Sequence, residues 1–192
     1  MNSAKYLLGK DVIINSLKRN NVDTIFGYSG GAILPVFDSL SKSGIKYFMN
    51  RHEQSSGHCA EGYAKVSGKP GVVTTTSGPG VTNLITPLQD SYSDGIPLVV
   101  FTGQVPTHAI GSDAFQECPA IDLTRPCTKW NYQLRDVNEI DYVVDKAFYI
   151  ATSGRPGPVH IDLPKDIMLD RTKEVRSNFK PYDNNKIGRA HV

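Results

Sequence analysis

The chain alternates short runs of branched apolar residues with segments of helical spacing. One run, 72–76, contains only valine and threonine, which is typical of a strand buried on both faces. The predicted strands are 22–28, 45–49, 72–76, 97–102, 129–134 and 159–163, and the predicted helices are 6–20, 33–41, 54–67, 81–93 and 136–152. This alternation predicts an α/β fold, a doubly wound and mostly parallel sheet with helices on both faces.

Several predicted strands end in a loop that contains glycine or a functional side chain. These loops are 29–32, the segment around Glu53, 77–80 and 103–106. The carboxyl ends of parallel strands share one edge of a sheet, and ligands bind outside that edge in open α/β folds. We therefore expect the loops to converge and to form a cleft there.

Glu53 lies where the strand 45–49 is followed by the helix 54–67. From spacing alone it is either a functional carboxylate or an ordinary acid in a first helical turn, where the helix dipole favours negative charge. The glycine loops 29–32 and 77–80 also have two interpretations. Each either cradles a phosphate or lets a strand and a helix pack closely. Neither completes a dinucleotide fingerprint or a P-loop.

The bulk properties exclude several classes of protein. The 192 residues suit a single domain, and a net charge of +2 without a basic run argues against a nucleic-acid partner. No apolar run is long enough to span a bilayer, and patterned sequence begins so early that a cytoplasmic location is expected. His52 and His58 have no obvious third ligand, so no metal site is predicted. The three cysteines are predicted to be reduced packing residues.

Eight motifs taken together resemble the N-terminal domain of the acetolactate synthase (acetohydroxyacid synthase) family. They are 26–32, 51–54, 60–64, 76–83, 103–106, 113–117, 152–159 and 163–166. Each motif alone occurs in several thiamine-diphosphate enzymes, whereas the last three together point to acetolactate synthase. The resemblance implies a thiamine-diphosphate pyrimidine-binding domain over 1–170 and a linker or tail over 171–192.

The resemblance implies a chemical role for Glu53. The matching glutamate hydrogen-bonds a ring nitrogen of the cofactor's aminopyrimidine and supports the proton relay that activates the thiazolium. Pyruvate is then decarboxylated and joined to a second 2-keto acid, a step of branched-chain amino-acid biosynthesis. A carboxylate is required because glutamine cannot accept and return a proton.

The resemblance also implies roles for other residues, one position at a time. Residues matching positions near thiamine diphosphate are Gly31, Pro79, Asn83 and Gln116. Residues matching the substrate channel are Ala32, Pro106, Phe115, Lys129 and Lys165. Arg155 matches an arginine that contacts FAD, which the family retains structurally, whereas Gly95 departs from a serine often found near that FAD.

The family's diphosphate and magnesium ligands belong to a C-terminal domain, through a Gly-Asp-Gly motif that does not precede 183–185 here. The resemblance therefore implies that the chain forms a homodimer or higher homo-oligomer, or binds a separate diphosphate-binding half. A regulatory subunit is a further possible partner. Residues 187–192 match the translation of a common sequencing-library adaptor, which predicts a native sequence ending near Lys186 and a fragment inactive alone.

Three alternatives stay open. In the first alternative the chain is a natural split subunit. In the second it belongs to another thiamine-diphosphate 2-keto-acid enzyme, such as a catabolic acetolactate synthase or glyoxylate carboligase. The third alternative, from a different class, is a non-catalytic binding half-subunit.

Overall fold

A computed structural model describes residues 6–173 and 177–181. The strands are β1 (Tyr6–Leu8), β2 (Thr24–Gly27), β3 (Lys46–Met49), β4 (Gly71–Thr75), β5 (Leu98–Gln104), β6 (Trp130–Gln133), β7 (Val159–Pro164) and β8 (Arg171–Lys173). The helices are α1 (Gly9–Arg19), α2 (Leu34–Leu40), α3 (Glu53–Ser67), α4 (Pro79–Thr82), α5 (Ile85–Asp94), α6 (Ala120–Thr124), α7 (Ile140–Thr152) and α8 (Lys165–Leu169). Short 3-10 turns occur at Thr107–Ala109, Arg125–Cys127 and Val137–Glu139.

Six strands form one parallel sheet in the order β3-β2-β4-β5-β7-β6. The register pairs Gly27 with Thr74, and Phe101 with both Thr74 and Ile161. The chain passes from β2 outward to β3 and then returns to β4 on the other side of β2. Strand order therefore reverses between β2 and β4, where ligands bind in doubly wound folds. The predicted fold class is confirmed.

Helices cover both faces of this sheet. On one face α1, α2, α7 and α8 form the larger core with apolar side chains of β5 and β7, including Phe101 and Ile161. On the other face α3 and α5 pack against Val73 and Val100, and α6 contacts β6 and β7. Because both faces are covered, β4, β5 and β7 are buried along their whole length.

The secondary structure near both ends of the described chain differs from the prediction. The first residues of the predicted helix 6–20 form β1, which pairs antiparallel with β8, so α1 begins at Gly9. Strand β8 lies in the segment predicted as linker, and Phe179 in that segment contacts the rings of Tyr142 and Tyr149. The predicted end near Lys186 and the predicted adaptor-derived residues 187–192 lie outside the described residues.

The predicted helix 81–93 is divided into α4 and α5. Pro87 has no backbone N–H, so a continuous helix would lack the bond from residue 87 to the carbonyl of Asn83. The chain instead makes a tighter turn, with Leu84 N bonded to Val81 O.

The cysteines and the helix lengths bear on two further expectations. None of the three cysteines forms a disulfide. Only Cys127 is fully buried, whereas Cys59, which was also predicted to be a packing residue, is exposed. Among the described residues, no helix has the length and apolar character needed to cross a bilayer.

Candidate functional site

The loops after β2, β4 and β5 meet at the carboxyl-end edge of the sheet. A Cβ atom on Gly30 would lie 2.5 Å from Cβ of Thr76, and one on Gly103 would lie 2.8 Å from the carbonyl carbon of Ala32. These approaches are possible only because both positions lack a side chain. The sequence left two explanations open for the glycines of the loop 29–32, phosphate binding and close packing. Close packing accounts for Gly30.

Glu53 is the first residue of α3, and its side chain is buried. The capping of α3 is provided by its neighbour His52, whose Nδ1 accepts a hydrogen bond from Gln54 N at 3.1 Å. The carboxylate of Glu53 points instead to the loop after β4, where Asn83 Nδ2 donates to Oε2 at 2.9 Å. One carboxylate oxygen is thus held by a neutral amide, and within residues 6–173 and 177–181 no hydrogen bond is made to Oε1.

No lysine, arginine or histidine in the described ranges forms an ion pair with Glu53. A buried carboxylate without a cationic partner is unfavourable for folding alone, because its desolvation is compensated only by hydrogen bonds. The fold alone gives no reason for a buried carboxylate here, which makes Glu53 the candidate functional residue.

The turn after β4 is covered by the loop 111–117. Gly78 has φ of +55°, and a Cβ atom there would lie 2.6 Å from the carbonyl oxygen of Gln116. Pro79 follows as the first residue of α4. The backbone of Gln116 therefore lies directly on the turn that leads to Pro79 and Asn83.

The loop 111–117 is held by the carboxylate of Glu117. It accepts hydrogen bonds from Gly111 N and from Ala114 N, the latter at 3.0 Å, and these bonds lower the pKa of Glu117. Gln116 has a positive φ of 58°, which is uncommon for a residue with a side chain. The side chain of Phe115 projects into solvent, 88% exposed.

Most other predicted site residues belong to the same edge. Gly31 and Ala32 follow β2, Pro106 follows β5, and Lys165 directly follows β7. These positions are at the carboxyl ends of parallel strands, on the same side of the sheet as Glu53.

Lys129 and Arg155 lie at the opposite edge. Lys129 immediately precedes β6, and its Nζ donates to the carbonyls of Ile150 and Ser153 at the end of α7; burial lowers its pKa. Arg155, before β7, donates to the carbonyls of Tyr92 (2.7 Å) and Ser93 at the end of α5. The structure does not bring these two side chains to Glu53, and their roles at the channel mouth and at FAD stay predictions.

His58 has acidic neighbours that sequence spacing did not reveal. Its Nδ1 lies 2.6 Å from Glu61 Oε2 on the same helix and 3.9 Å from Asp90 Oδ2 on α5. Glu61 also accepts a hydrogen bond from Ser91 at 2.6 Å. This cluster does not include His52, its members are bonded to one another, and the absence of a metal site stays a prediction.

Sequence reasoning missed a buried polar group on β5, β6 and β7, two of whose members, Gln104 and Gln133, line a cavity of about 470 Å³. Asp162 accepts hydrogen bonds from Thr102 (3.1 Å), Gln104 (3.1 Å) and Gln133 (2.7 Å), and burial raises its pKa to about 6. His160 lies between two threonine hydroxyls, and burial lowers its pKa to about 3. The available signal was the alternation of polar and apolar residues along 159–163.

Residues 8–123 match the family model described as thiamine pyrophosphate enzyme, N-terminal TPP binding domain. The matched segment contains Glu53, Pro79, Asn83 and the loop 111–117. The chain therefore belongs to this family of thiamine pyrophosphate enzyme domains.

Within that family the chain is similar to acetolactate synthases. The chain is 57% identical over 162 residues to the mitochondrial acetolactate synthase catalytic subunit of Saccharomyces cerevisiae, covering 84% of this chain and 24% of that protein. It is 51% identical to the acetolactate synthase large subunit of Lactococcus lactis (87% and 29% covered) and 51% identical to the probable large subunit of Methanocaldococcus jannaschii (83% and 27%). The predicted resemblance to the N-terminal domain of acetolactate synthase is confirmed. The chain spans about a quarter of the length of these curated relatives.

Proposed function

We propose that this chain is the pyrimidine-binding half of an acetolactate synthase active site, with Glu53 as its catalytic residue. The observation that carries the proposal is the buried Glu53 carboxylate at the point where strand order reverses, oriented by Asn83 and without an ion-pair partner in the described part of the chain. A carboxylate in this setting can exchange a proton with a ring nitrogen and return it.

The residues at this edge fit thiamine diphosphate, the cofactor also called thiamine pyrophosphate. When bound, it supplies the carbon nucleophile for decarboxylating and joining 2-keto acids. Glu53 would hold and move a proton at Oε1, and Asn83 would fix the direction of that atom. Gly31 and Pro79 would form a close wall for the aminopyrimidine, and Gln116 would approach from the covering loop.

The proposed substrates are pyruvate and a second 2-keto acid. Ala32, Pro106, Phe115 and Lys165 line the same edge and would form this chain's side of the substrate channel. The exposed ring of Phe115 supplies apolar surface for such a channel, and Lys165 supplies positive charge for a carboxylate.

The rest of the site would come from another domain or chain. The proposed additions are the diphosphate-binding half with its magnesium ion, a second subunit in a homodimer or higher oligomer, and a regulatory subunit. The exposed side chains of Phe115, Leu34 and Tyr28 at or near this edge support a covering partner. Binding of FAD is also only proposed, and it rests on the match of Arg155 to an arginine that contacts FAD in the family.

A cytoplasmic location stays a prediction. The relatives include proteins named mitochondrial and chloroplastic as well as bacterial and archaeal large subunits.

The proposal can be tested on the chain itself by NMR titration with 4-amino-5-hydroxymethyl-2-methylpyrimidine, the pyrimidine part of the cofactor. We expect shifts at the amides around Glu53, Pro79 and Asn83, and a loss of about tenfold or more in affinity for Glu53→Ala, since a hydrogen bond to a charged group contributes about 1.5–3 kcal/mol. Glu139→Ala is the matched control, because Glu139 is also a glutamate at a helix start, beyond β6. Equal affinity of the two variants would contradict the proposal.

A further inference from the structure

Gln104 is the last residue of β5, and its side-chain amide is buried and fully used. Its Nε2 donates to Asp162 Oδ2 at 3.1 Å and to the carbonyl oxygen of Cys118 at 3.3 Å. Its Oε1 accepts a hydrogen bond from Val105 N at 2.8 Å. One amide group therefore binds the first residue after β5 and a residue thirteen positions further along.

Asp162 determines which way this amide points. The ionised carboxylate can only accept hydrogen bonds, so the nitrogen of the Gln104 amide must face it. The oxygen of the amide is then directed at Val105 N–H. The titratable groups near the carboxylate are His160, which shares the Thr102 hydroxyl with it, and the thiol of Cys118.

The two ends of the loop 105–118 are consequently tied to a single side chain. Between these ends, Glu117 binds Gly111 N and Ala114 N, and the carbonyl of Gln116 packs on Gly78. The ties at the ends and the internal hydrogen bonds together fix the loop over the turn after β4.

We propose that Gln104, oriented by Asp162, is a positioning residue that closes the loop 105–118 and holds Phe115 and Gln116 over the turn at Gly78. The evidence for the closure is the set of hydrogen bonds from Gln104 to Asp162, Cys118 and Val105. Its value for catalysis rests on the proposed function, because Phe115 and Gln116 are assigned there to the substrate and the cofactor.

The experiment is amide hydrogen exchange measured by mass spectrometry on the whole chain. Gln104→Glu places a second carboxylate against Asp162 and removes the donor to Cys118, and Gln104→Met removes the amide without adding charge. We expect exchange in the peptide 105–118 to be at least about tenfold faster in both variants, with exchange in α1 and α7 unchanged. Combining Asp162→Asn with Gln104→Glu removes the charge repulsion but does not restore the donor to Cys118, so exchange of the loop should remain faster than in the unmodified chain.

Gln133→Met is the matched control. Gln133 donates to the same Oδ2 atom of Asp162 but makes no hydrogen bond to the loop 105–118, so its loss should leave exchange of the loop within about twofold of the unmodified chain. The proposal is overturned if Gln133→Met accelerates the loop as much as Gln104→Met, if acceleration is equal in all peptides, or if the double variant exchanges as slowly as the unmodified chain.

Failure of this inference is distinguishable from failure of the proposed function. The exchange pattern needs no cofactor, whereas the proposed function is tested by pyrimidine binding at Glu53. Selective loop exchange without pyrimidine binding would support the closure and contradict the cofactor assignment.

Discussion

At the scale of single residues, the carboxylate of Glu53 is not used to cap its own helix, because its neighbours perform the structural tasks. His52 caps α3, and Asn83 holds one oxygen of the carboxylate. The same division of tasks is seen in the loop 111–117, where Glu117 makes the backbone hydrogen bonds and the side chain of Phe115 remains exposed.

Asp162 gives a residue-scale prediction about pH. Its pKa in the folded chain is about 6, above the ordinary value of 3.8, so the folded state binds a proton that the unfolded state does not. The stabilising effect of that proton is fully present below pH 3.8 and is lost as pH rises through 6. His160 acts in the opposite direction, since its lowered pKa removes stability as pH falls from 6.5 toward 3.

We expect Asp162→Asn to abolish the contribution of this carboxyl group. As pH is lowered from 6 to 4, the free energy of unfolding of the variant should fall relative to that of the unmodified chain by up to about 1.4 kcal/mol per pH unit. Urea denaturation at several pH values measures this difference. Parallel curves for the two proteins would show that Asp162 ionises normally in the fold.

Gly78 gives a second prediction at this scale. Gly78→Ala should destabilise the chain by about 1–3 kcal/mol, because the residue has a positive φ and its new methyl group would meet the carbonyl of Gln116. Gly154→Ala is the control, since φ is +60° there and no atom lies within 4 Å of the added carbon. Thermal unfolding should show the larger loss for Gly78→Ala; equal losses would mean that the contact with Gln116 contributes nothing.

At the scale of secondary-structure elements, α3 depends on one of its two internal glycines. A Cβ atom on Gly57 would lie 2.3 Å from Cγ of Pro87, whereas the space beside Gly62 is open. The contact between α3 and α5 therefore requires glycine at position 57 only.

We expect Gly57→Ala to destabilise the chain by about 1–3 kcal/mol through the clash with a rigid proline ring. Gly62→Ala should stabilise it by up to about 1 kcal/mol, because alanine loses less backbone entropy in a helix. Denaturant unfolding of the two variants measures both effects. A stabilising Gly57→Ala would contradict the packing described for α3 and α5.

The sequence predicted the main strands and helices because their periodicity is local. It did not predict β1 and β8, since three-residue strands carry no period and their pairing joins opposite ends of the domain. Alternation along 159–163 suggests a strand with one polar face toward water, but α6 and the loop 105–118 bury that face, including His160 and Asp162.

Prediction of the candidate site depended on motifs more than on spacing. Spacing alone left Glu53 as a possible capping acid, and only the resemblance singled out Asn83. Lys129 was predicted as the first residue of a strand, whereas the structure begins β6 at Trp130. Either boundary places Lys129 at the amino end of a parallel strand, so its assignment to the channel came from the resemblance alone.

At the scale of the whole molecule, the candidate site lies on an open edge of the sheet. The cavity of about 470 Å³ is lined by Gln104, Glu117 and Gln133 rather than by Glu53. Because the chain spans about a quarter of its relatives, we expect the proposed site to be completed by surface from elsewhere. We therefore expect catalysis only in a complemented assembly.

The measurement that tests this account most directly is acetolactate formation from pyruvate with thiamine diphosphate, magnesium and FAD. The chain is assayed alone and mixed with a separately produced diphosphate-binding half of an acetolactate synthase, with Glu53→Gln as the variant. We expect activity only in the mixture and a loss of at least about 100-fold with Glu53→Gln, because glutamine can keep the bond to Asn83 but cannot carry the proton. A mixture in which Glu53→Gln is as active as the unmodified chain, or a chain that is active alone, would contradict the account.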